Sequence, residues 1–378
     1  MSQSATAQAA PQSVDSSPGE RVASTAPESA QSSHPKLTAF ESVARLCGFF
    51  VILVALIFLT NAMITSGLRR IRTSEVGALN QVMQGKVNAQ IVITGSSRAL
   101  AHFDPRLLEQ ATGYTAYNIG RNGSQTDMQV AFLRAYLEHN QKPKIVIHSL
   151  DAFSFVTSRE VFEQVQYTPY LSDPALYSAL WKVNPDIWKS RDLPLYGYVV
   201  EDMNFAWTQG VRGFFGWSPR QDFFLGFNPR SKEWSEDFER FRELRPHGVE
   251  FAIEKAGIQD VEDLITLCRQ NGIQLIFVYS PEYREVQKIT TNRDAIFSEF
   301  RELSAQYQVP FWDYSDWSHA GDRSYFQNSQ HLNARGAEAF SNDLAGQLRS
   351  YISSSEARSD AGQSAARPTL PFAQKGSN

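Results

Sequence analysis

From Leu46 to Ser66 the chain runs LCGFFVILVALIFLTNAMITS without a single charge, and beyond it short apolar runs alternate with stretches of mixed polarity. At about 1.5 Å per residue the uncharged run matches the roughly 30 Å hydrocarbon core of a bilayer. It predicts one transmembrane helix in contact with lipid over 46–66, within a signal anchor spanning 44–66. The long leading tail and the lack of a small-x-small cleavage site favour an uncleaved anchor over a signal peptide. Residues 1–40, rich in Ser, Ala, Gln and Pro, have too few large apolar groups to offset the entropy of ordering and predict a disordered tail. Residues 67–89 read as a short helical stalk. Lys36 and Arg45 precede the span and Arg69, Arg70 and Arg72 follow it, so the positive-inside rule alone leans towards a cytoplasmic carboxyl domain.

The soluble part begins near Gln90. Apolar runs at Gln90–Thr94, Thr115–Asn118, Lys144–Leu150, Ile273–Ser280 and Val309–Asp313 read as strands, with helical spacing between them. Such alternation predicts an α/β fold, a three-layer α/β/α sandwich on a parallel sheet, over 90–352. Ser124 with Asp127 approximates a capping box for the helix holding Val130, Leu133 and Tyr136. Gly272 closes another helix, Gln259–Asn271, and Asn333 caps the last, which begins near Ala334. Between 155 and 248 the alternation breaks and aromatic residues crowd in. This insertion is expected to be a cap subdomain with a small core of its own, and Trp207 and Trp217 are candidates for binding a sugar chain or lipid. Residues 353–378 return to Ser, Ala, Gln and Pro and predict a second disordered tail.

The 378 residues carry a formal charge of −4 and are 42% hydrophobic, enough for one large core or two modest ones and unlike a fibrous chain. No block of Lys and Arg is present to neutralise phosphates, so nucleic acid is not an expected partner. Cys47 falls in the apolar span and Cys268 in a helix, which gives neither a disulfide framework nor metal-ligand spacing. No metal or cofactor signature is found.

Ser97 follows an apolar strand through the Gly95-Ser96-Ser97 turn, at the strand's carboxyl end where open α/β sheets bind ligands. His331 lies far downstream, just before the last helix. Nucleophilic acyl chemistry needs a hydroxyl, a base within hydrogen-bond reach and donors for the oxyanion. Ser97 and His331 supply the first two, and Gly120 and Gly123 at the end of the second strand can present backbone N–H groups. Singly, each has a structural reading: Ser96 or Ser97 as a helix cap, His331 as a loop histidine. The remaining histidines His102, His139, His148 and His247 have no comparable context and read as structural.

Gly-x-Ser after the first strand, Asn118-Ile-Gly120-Arg-Asn-Gly123 after the second, and Phe326-Gln-Asn328-Ser-Gln-His331-Leu-Asn near the end together resemble the SGNH hydrolase superfamily. The closest likeness is to its membrane-anchored branch, which includes the teichoic-acid D-alanyl transfer and alginate O-acetylation proteins. The resemblance implies a flavodoxin-like sheet, Ser97 as nucleophile, His331 as base, and the Ser97 and Gly123 amides as oxyanion donors. Two positions depart from the pattern. Asn328 stands where the family has Asp in the catalytic set, and His148-Ser149-Leu150-Asp151 stands where it has Gly-x-Asn-Asp, so the oxyanion asparagine is missing. Three alternatives stay open: a slow Ser-His dyad, a carboxylate recruited from Asp322 or Asp151, or loss of hydrolysis. The resemblance implies an acyltransferase or esterase acting on an exported or cell-envelope polysaccharide, with a multi-spanning membrane acyltransferase as partner. It implies a single-pass protein of the inner or plasma membrane whose carboxyl domain is periplasmic or extracellular. The rival expectation is a non-catalytic relative that binds polysaccharide or scaffolds an envelope assembly.

Overall fold

A computed structural model describes residues 38–219 and 223–365. Contacts divide the chain between Ile52 and Leu53. On the amino side the described residues are the first turns of helix α1 (Ala39–Leu68), started by a reciprocal capping box: Thr38 N–H donates to Glu41 Oε2 at 3.0 Å, and Glu41 N–H to Thr38 Oγ1 at 3.2 Å. Helix α1 is long and apolar enough to cross a membrane, and none of its most apolar stretch is buried in protein. Most of the amino-terminal tail (1–37) and the end of the carboxyl tail (366–378) lie outside the described residues.

From Leu53 onward the elements are α2 (Ser74–Met83), β1 (Ile91–Thr94), α3 (Ser97–His102), α4 (Pro105–Thr112), β2 (Ala116–Asn118), α5 (Thr126–His139) and β3 (Ile145–Leu150). The insertion adds α6 (Pro174–Val183), α7 (Ile187–Asp192), α8 (Tyr196–Phe214) and α9 (Asp237–Leu244). The chain closes with α10 (Lys255–Gln270), β4 (Gln274–Tyr279), α11 (Arg284–Gln287), α12 (Arg293–Tyr307), β5 (Phe311–Asp313) and α13 (Ala334–Ala365). All five strands fall within two residues of the apolar runs that announce them. They form one parallel sheet in the order β2-β1-β3-β4-β5, the flavodoxin-like order.

The Ile-Val-Ile runs of β1 and β3 show why the sheet is covered on both faces. Ile91, Ile93, Ile145 and Ile147 pack with Ala99 of α3, Leu108 of α4 and Phe340 and Leu344 of α13. Val92 and Val146 face the opposite way, onto Leu79 of α2, Leu133 of α5, Leu264 of α10 and Phe300 of α12. A period of two with both faces apolar is the pattern of a central parallel strand.

Four expectations are corrected. The 67–89 segment is helical over Ser74–Met83 as expected, but it is packed rather than standing as a stalk, because Leu79, Val82, Met83 and Val87 belong to the main core. The expected box at Ser124 does not form: α5 starts at Thr126 with Gln125 at the cap position, and the Ser124 hydroxyl donates to the Arg121 carbonyl at 2.9 Å. The 155–248 insertion does not keep its aromatics to itself. Tyr167, Tyr170, Leu176 and Ile187 enter one face of the main core and Phe227 and Phe238 the other, while Val165, Tyr198 and Ala206 pack on Ile64 and Leu68 of α1. Finally α13 continues to Ala365, past Ser353, since Ala, Glu, Arg and Gln in SSSEARSDAGQSA favour helix once a packed helix leads into them.

Candidate active site

At the end of β1, Gly95 has φ +143, and an added Cβ would stand 2.9 Å from the β-carbons of both Ala99 and Ser149. Only glycine lets the chain turn this sharply in so little space. The cap of α3 is Ser96, whose hydroxyl accepts from Arg98 N–H at 3.2 Å. Capping therefore falls to Ser96 and leaves the Ser97 hydroxyl, at the first residue of α3, for another partner.

That partner is His331. Ser97 Oγ lies 2.8 Å from His331 Nε2, and His331 Nδ1 lies 3.1 Å from Asn328 Oδ1. The same Oδ1 accepts the backbone N–H of Gln330 at 3.0 Å and of His331 at 2.9 Å. Two backbone donors can converge only on an acceptor, so the Asn328 oxygen, not its amide nitrogen, faces the ring. Nδ1 therefore carries the proton, and the Nε2 lone pair points at Ser97. Asn328 does by hydrogen bonding alone the orienting work of a triad carboxylate, without its negative charge.

The loop that carries His331 is held on both sides. Phe326 and Leu332 pair as an antiparallel bridge, Gln327 N–H donates to the His331 carbonyl at 2.9 Å, and Asn333 Oδ1 caps α13 by accepting from Gly336 N–H at 3.0 Å. Beneath it, fully buried His102 accepts Leu332 N–H at Nε2 (3.0 Å) and donates from Nδ1 to Ser280 Oγ (2.9 Å). Burial and the neighbouring Arg98 hold His102 well below the usual imidazole range. Its isolated position in sequence gave no hint that it holds the loop carrying His331.

His331 is itself pushed down to about 4, by burial first and then by the guanidiniums of Arg230 and Arg98. It is a neutral acceptor at ordinary pH. Arg230, in the insertion, is a second residue that sequence reasoning missed. Its carbonyl accepts Ala334 N–H at 2.7 Å, one of its terminal nitrogens donates to Asn122 Oδ1 at 3.0 Å, and its buried Nε has no partner among the described residues.

The turn after β2 is tied to the turn that carries Ser97, with Arg121 N–H donating to the Gly95 carbonyl at 3.0 Å. Gly123 adopts φ +62 there, and an added Cβ would stand 2.6 Å from the Phe162 β-carbon. Among the described residues neither the Ser97 nor the Gly123 N–H has a protein acceptor, which leaves both open to a ligand oxygen.

Neither carboxylate proposed as a substitute reaches His331. Asp151 is buried in an ion pair with Arg98 at 3.2 Å, and Arg98 also donates to the Ser280 carbonyl, so Asp151 anchors the residue next to Ser97. Asp322 lies on the surface and accepts Ser324 N–H at 2.9 Å. Leu150 is fully buried in the main core and offers no donor. Trp207 and Trp217 lie on and just beyond α8, with no hydrogen bond or ring contact to Ser97, His331 or Asn328. One group with metal-ligand spacing occurs among the described residues: Glu138, His139 and Asp173. It sits at the end of α5 that leads into β3, the sheet edge opposite Ser97.

No protein-family model and no curated protein matches the chain. Solved structures do. One from Streptococcus pneumonia, described as a platelet activating factor, is 15% identical with a TM-score of 0.37, over 79% of this chain and 99% of its own. One from Bacteroides fragilis, described as an acylhydrolase, is 11% identical with a TM-score of 0.34, over 69% and 86%. A GDSL-like lipase from Bacteroides thetaiotaomicron is 10% identical with a TM-score of 0.33, over 73% and 100%. Similarity at this level carries no residue roles across, and what Ser97 can do follows from its own surroundings.

Proposed function

We propose that the protein is a membrane-anchored, SGNH-type acyl-ester enzyme, and that its substrate is an exported or cell-envelope polysaccharide bearing O-acetyl or related groups. The observation that carries the chemistry is the relay Ser97 Oγ, His331 Nε2, His331 Nδ1, Asn328 Oδ1. Ser97 Oγ attacks the acyl carbonyl as its proton passes to Nε2, and the Ser97 and Gly123 amides receive the oxyanion. The carbon–oxygen bond to the leaving alcohol then breaks, and that alcohol takes the proton from Nε2. Water completes a hydrolysis of the acyl-serine; a sugar hydroxyl completes a transfer. Asn328 cannot stabilise the imidazolium by charge, so the chemistry is expected to be slow beside a full Ser-His-Asp set.

The anchor is α1. The carboxyl domain is read as periplasmic or extracellular, which leaves the arginines after the span to be explained. Two of them have structural uses that do not depend on side: Arg69 donates to the Pro169 carbonyl and Arg70 to that of Phe214. A multi-spanning acyltransferase is the expected acyl donor for the transfer reaction.

The test is turnover of acetyl-ester probes, free and polymer-linked, by full-length protein in detergent. Wild type is expected to exceed Ser97→Ala clearly. Equal rates with every ester would remove the enzyme reading and leave a polysaccharide-binding role.

A further inference from the structure

The last two turns of α1 are clasped by the insertion. Asn61 Oδ1 accepts Leu195 N–H at 2.9 Å, Thr65 Oγ1 lies 2.7 Å from Tyr198 Oη, and Arg70 donates to the Phe214 carbonyl at 2.8 Å. The helices meet through glycines: an added Cβ on Gly67 would stand 1.7 Å from the Gly210 carbonyl oxygen, and one on Gly213 2.2 Å from that of Gly67. Residues Ala206, Gly210 and Gly213, spaced i, i+4 and i+7, thus form the face of α8 that packs on α1.

Val200 lies before a break in helical geometry at Asp202 (φ −157, ψ 88), and beyond that break Met203 and Trp207 lie about one turn apart on the stripe of α8 adjoining that face. Val200, Met203 and Trp207 are 59%, 61% and 51% exposed, and Phe215 just beyond the helix is 79% exposed. Asn204 and Thr208 turn away on the polar side. An unpartnered apolar stripe beside a membrane span is one observation; the length of that span is another. The charge-free part of α1 begins after Arg45, and its uncovered portion ends near Leu59, where Asn61 begins the clasp. From Leu46 to Leu59 the helix rises only about 20 Å, short of the roughly 30 Å hydrocarbon core. The remainder must come from 60–66, whose flank α8 already covers. Asn61 and Thr65 fit that depth, since polar groups within a span need internal partners and both have them in the insertion.

We infer that α8 is a bilayer-embedded element whose Met203–Trp207 stripe docks against lipid at the membrane interface beside α1. The inference rests on the reading of α1 as a membrane span. It gives Trp207 the role of an interfacial anchor, where an indole places its ring in the apolar zone and its N–H near the headgroups, and removes it from the substrate site. It also seats the sheet close to the membrane surface, with α1 and α8 as two adjoining points of attachment.

Nitroxide accessibility in the full chain tests this. In a Cys47→Ser background, spin labels at Leu53→Cys, Met203→Cys, Trp207→Cys and Asn204→Cys are measured after reconstitution into phosphatidylcholine–phosphatidylglycerol vesicles. Labels at 53, 203 and 207 are expected to collide more with dissolved oxygen than with a water-soluble nickel chelate, and the label at 204 the reverse. A lipid-like signal at 53 with water-like signals at 203 and 207 would overturn the interfacial helix and leave the anchor standing. Water-like signals at all three would overturn both. Labels at 203 and 207 shielded from oxygen and chelate alike would put a protein chain on the stripe and overturn the lipid assignment.

Discussion

The carboxyl edge of the sheet and the α1–α8 clasp are both built on glycines and both leave something unsatisfied, but what they leave differs. At the sheet edge Gly95 and Gly123 shape turns whose polar groups hold one another, and the open groups are two amides and a serine beside a neutral histidine. At the clasp Gly67, Gly210 and Gly213 bring helices into backbone contact, and the open groups are apolar side chains. Unused donors ask for a ligand oxygen, whereas unused hydrocarbon asks for another apolar phase. The first region is thus read as a site for chemistry and the second as an attachment.

The sharpest way to break the first half of the comparison is Ser97→Ala, expected to take acyl-ester turnover to background in a steady-state assay. Next in size is Asn328→Asp. A carboxylate can accept the same three hydrogen bonds and adds the charge that favours imidazolium, so turnover is expected to rise, at most by about the 10⁴-fold that the reverse change costs a serine protease. The acid limb of the rate profile, expected at about pH 4 in the wild type, should move upward in the same variant.

Asp151→Asn separates anchoring from catalysis. It leaves the Arg98 charge buried and unpaired and is expected to cost about 3–5 kcal/mol in denaturant unfolding, while Asp322→Asn on the surface is expected to leave the unfolding midpoint unchanged. In the clasp, Gly67→Ala forces a Cβ into the Gly210 carbonyl and is expected to cost about 1–3 kcal/mol, read in the same way, without moving the acid limb. The pH dependence of stability follows from the buried histidines. His331 and His148 are held down to about 4 and about 3 in the folded protein, so below the unfolded value of about 6.5 the unfolded chain binds protons first. Stability should be fully present above about pH 6.5 and decline as the pH falls towards those values.

The sheet was legible because Ile91-Val92-Ile93 and Ile145-Val146-Ile147 encode strands buried on both faces by local pattern alone. Ser97, Asn328 and His331 were legible because each sits in a short block with a recognisable order. His102, Arg230 and the true role of Asp151 were not, since their partners Leu332, Asn122 and Arg98 lie about fifty to more than two hundred residues away and only the folded chain brings them together. The insertion misled for the same reason: its aromatic composition suggests a local core, while its partners are α1 and the two faces of a distant sheet. Ser124 shows the limit of motif spacing, because its hydroxyl found the Arg121 carbonyl before it could cap a helix.

The most direct test of the central claim is acid-quenched mass spectrometry of the full-length protein after brief exposure to an activated acetyl ester. An acetyl group on the peptide containing Ser97 in wild type, lost in His331→Gln, is the expected result. An unmodified Ser97 in wild type under conditions where the ester is consumed would contradict it.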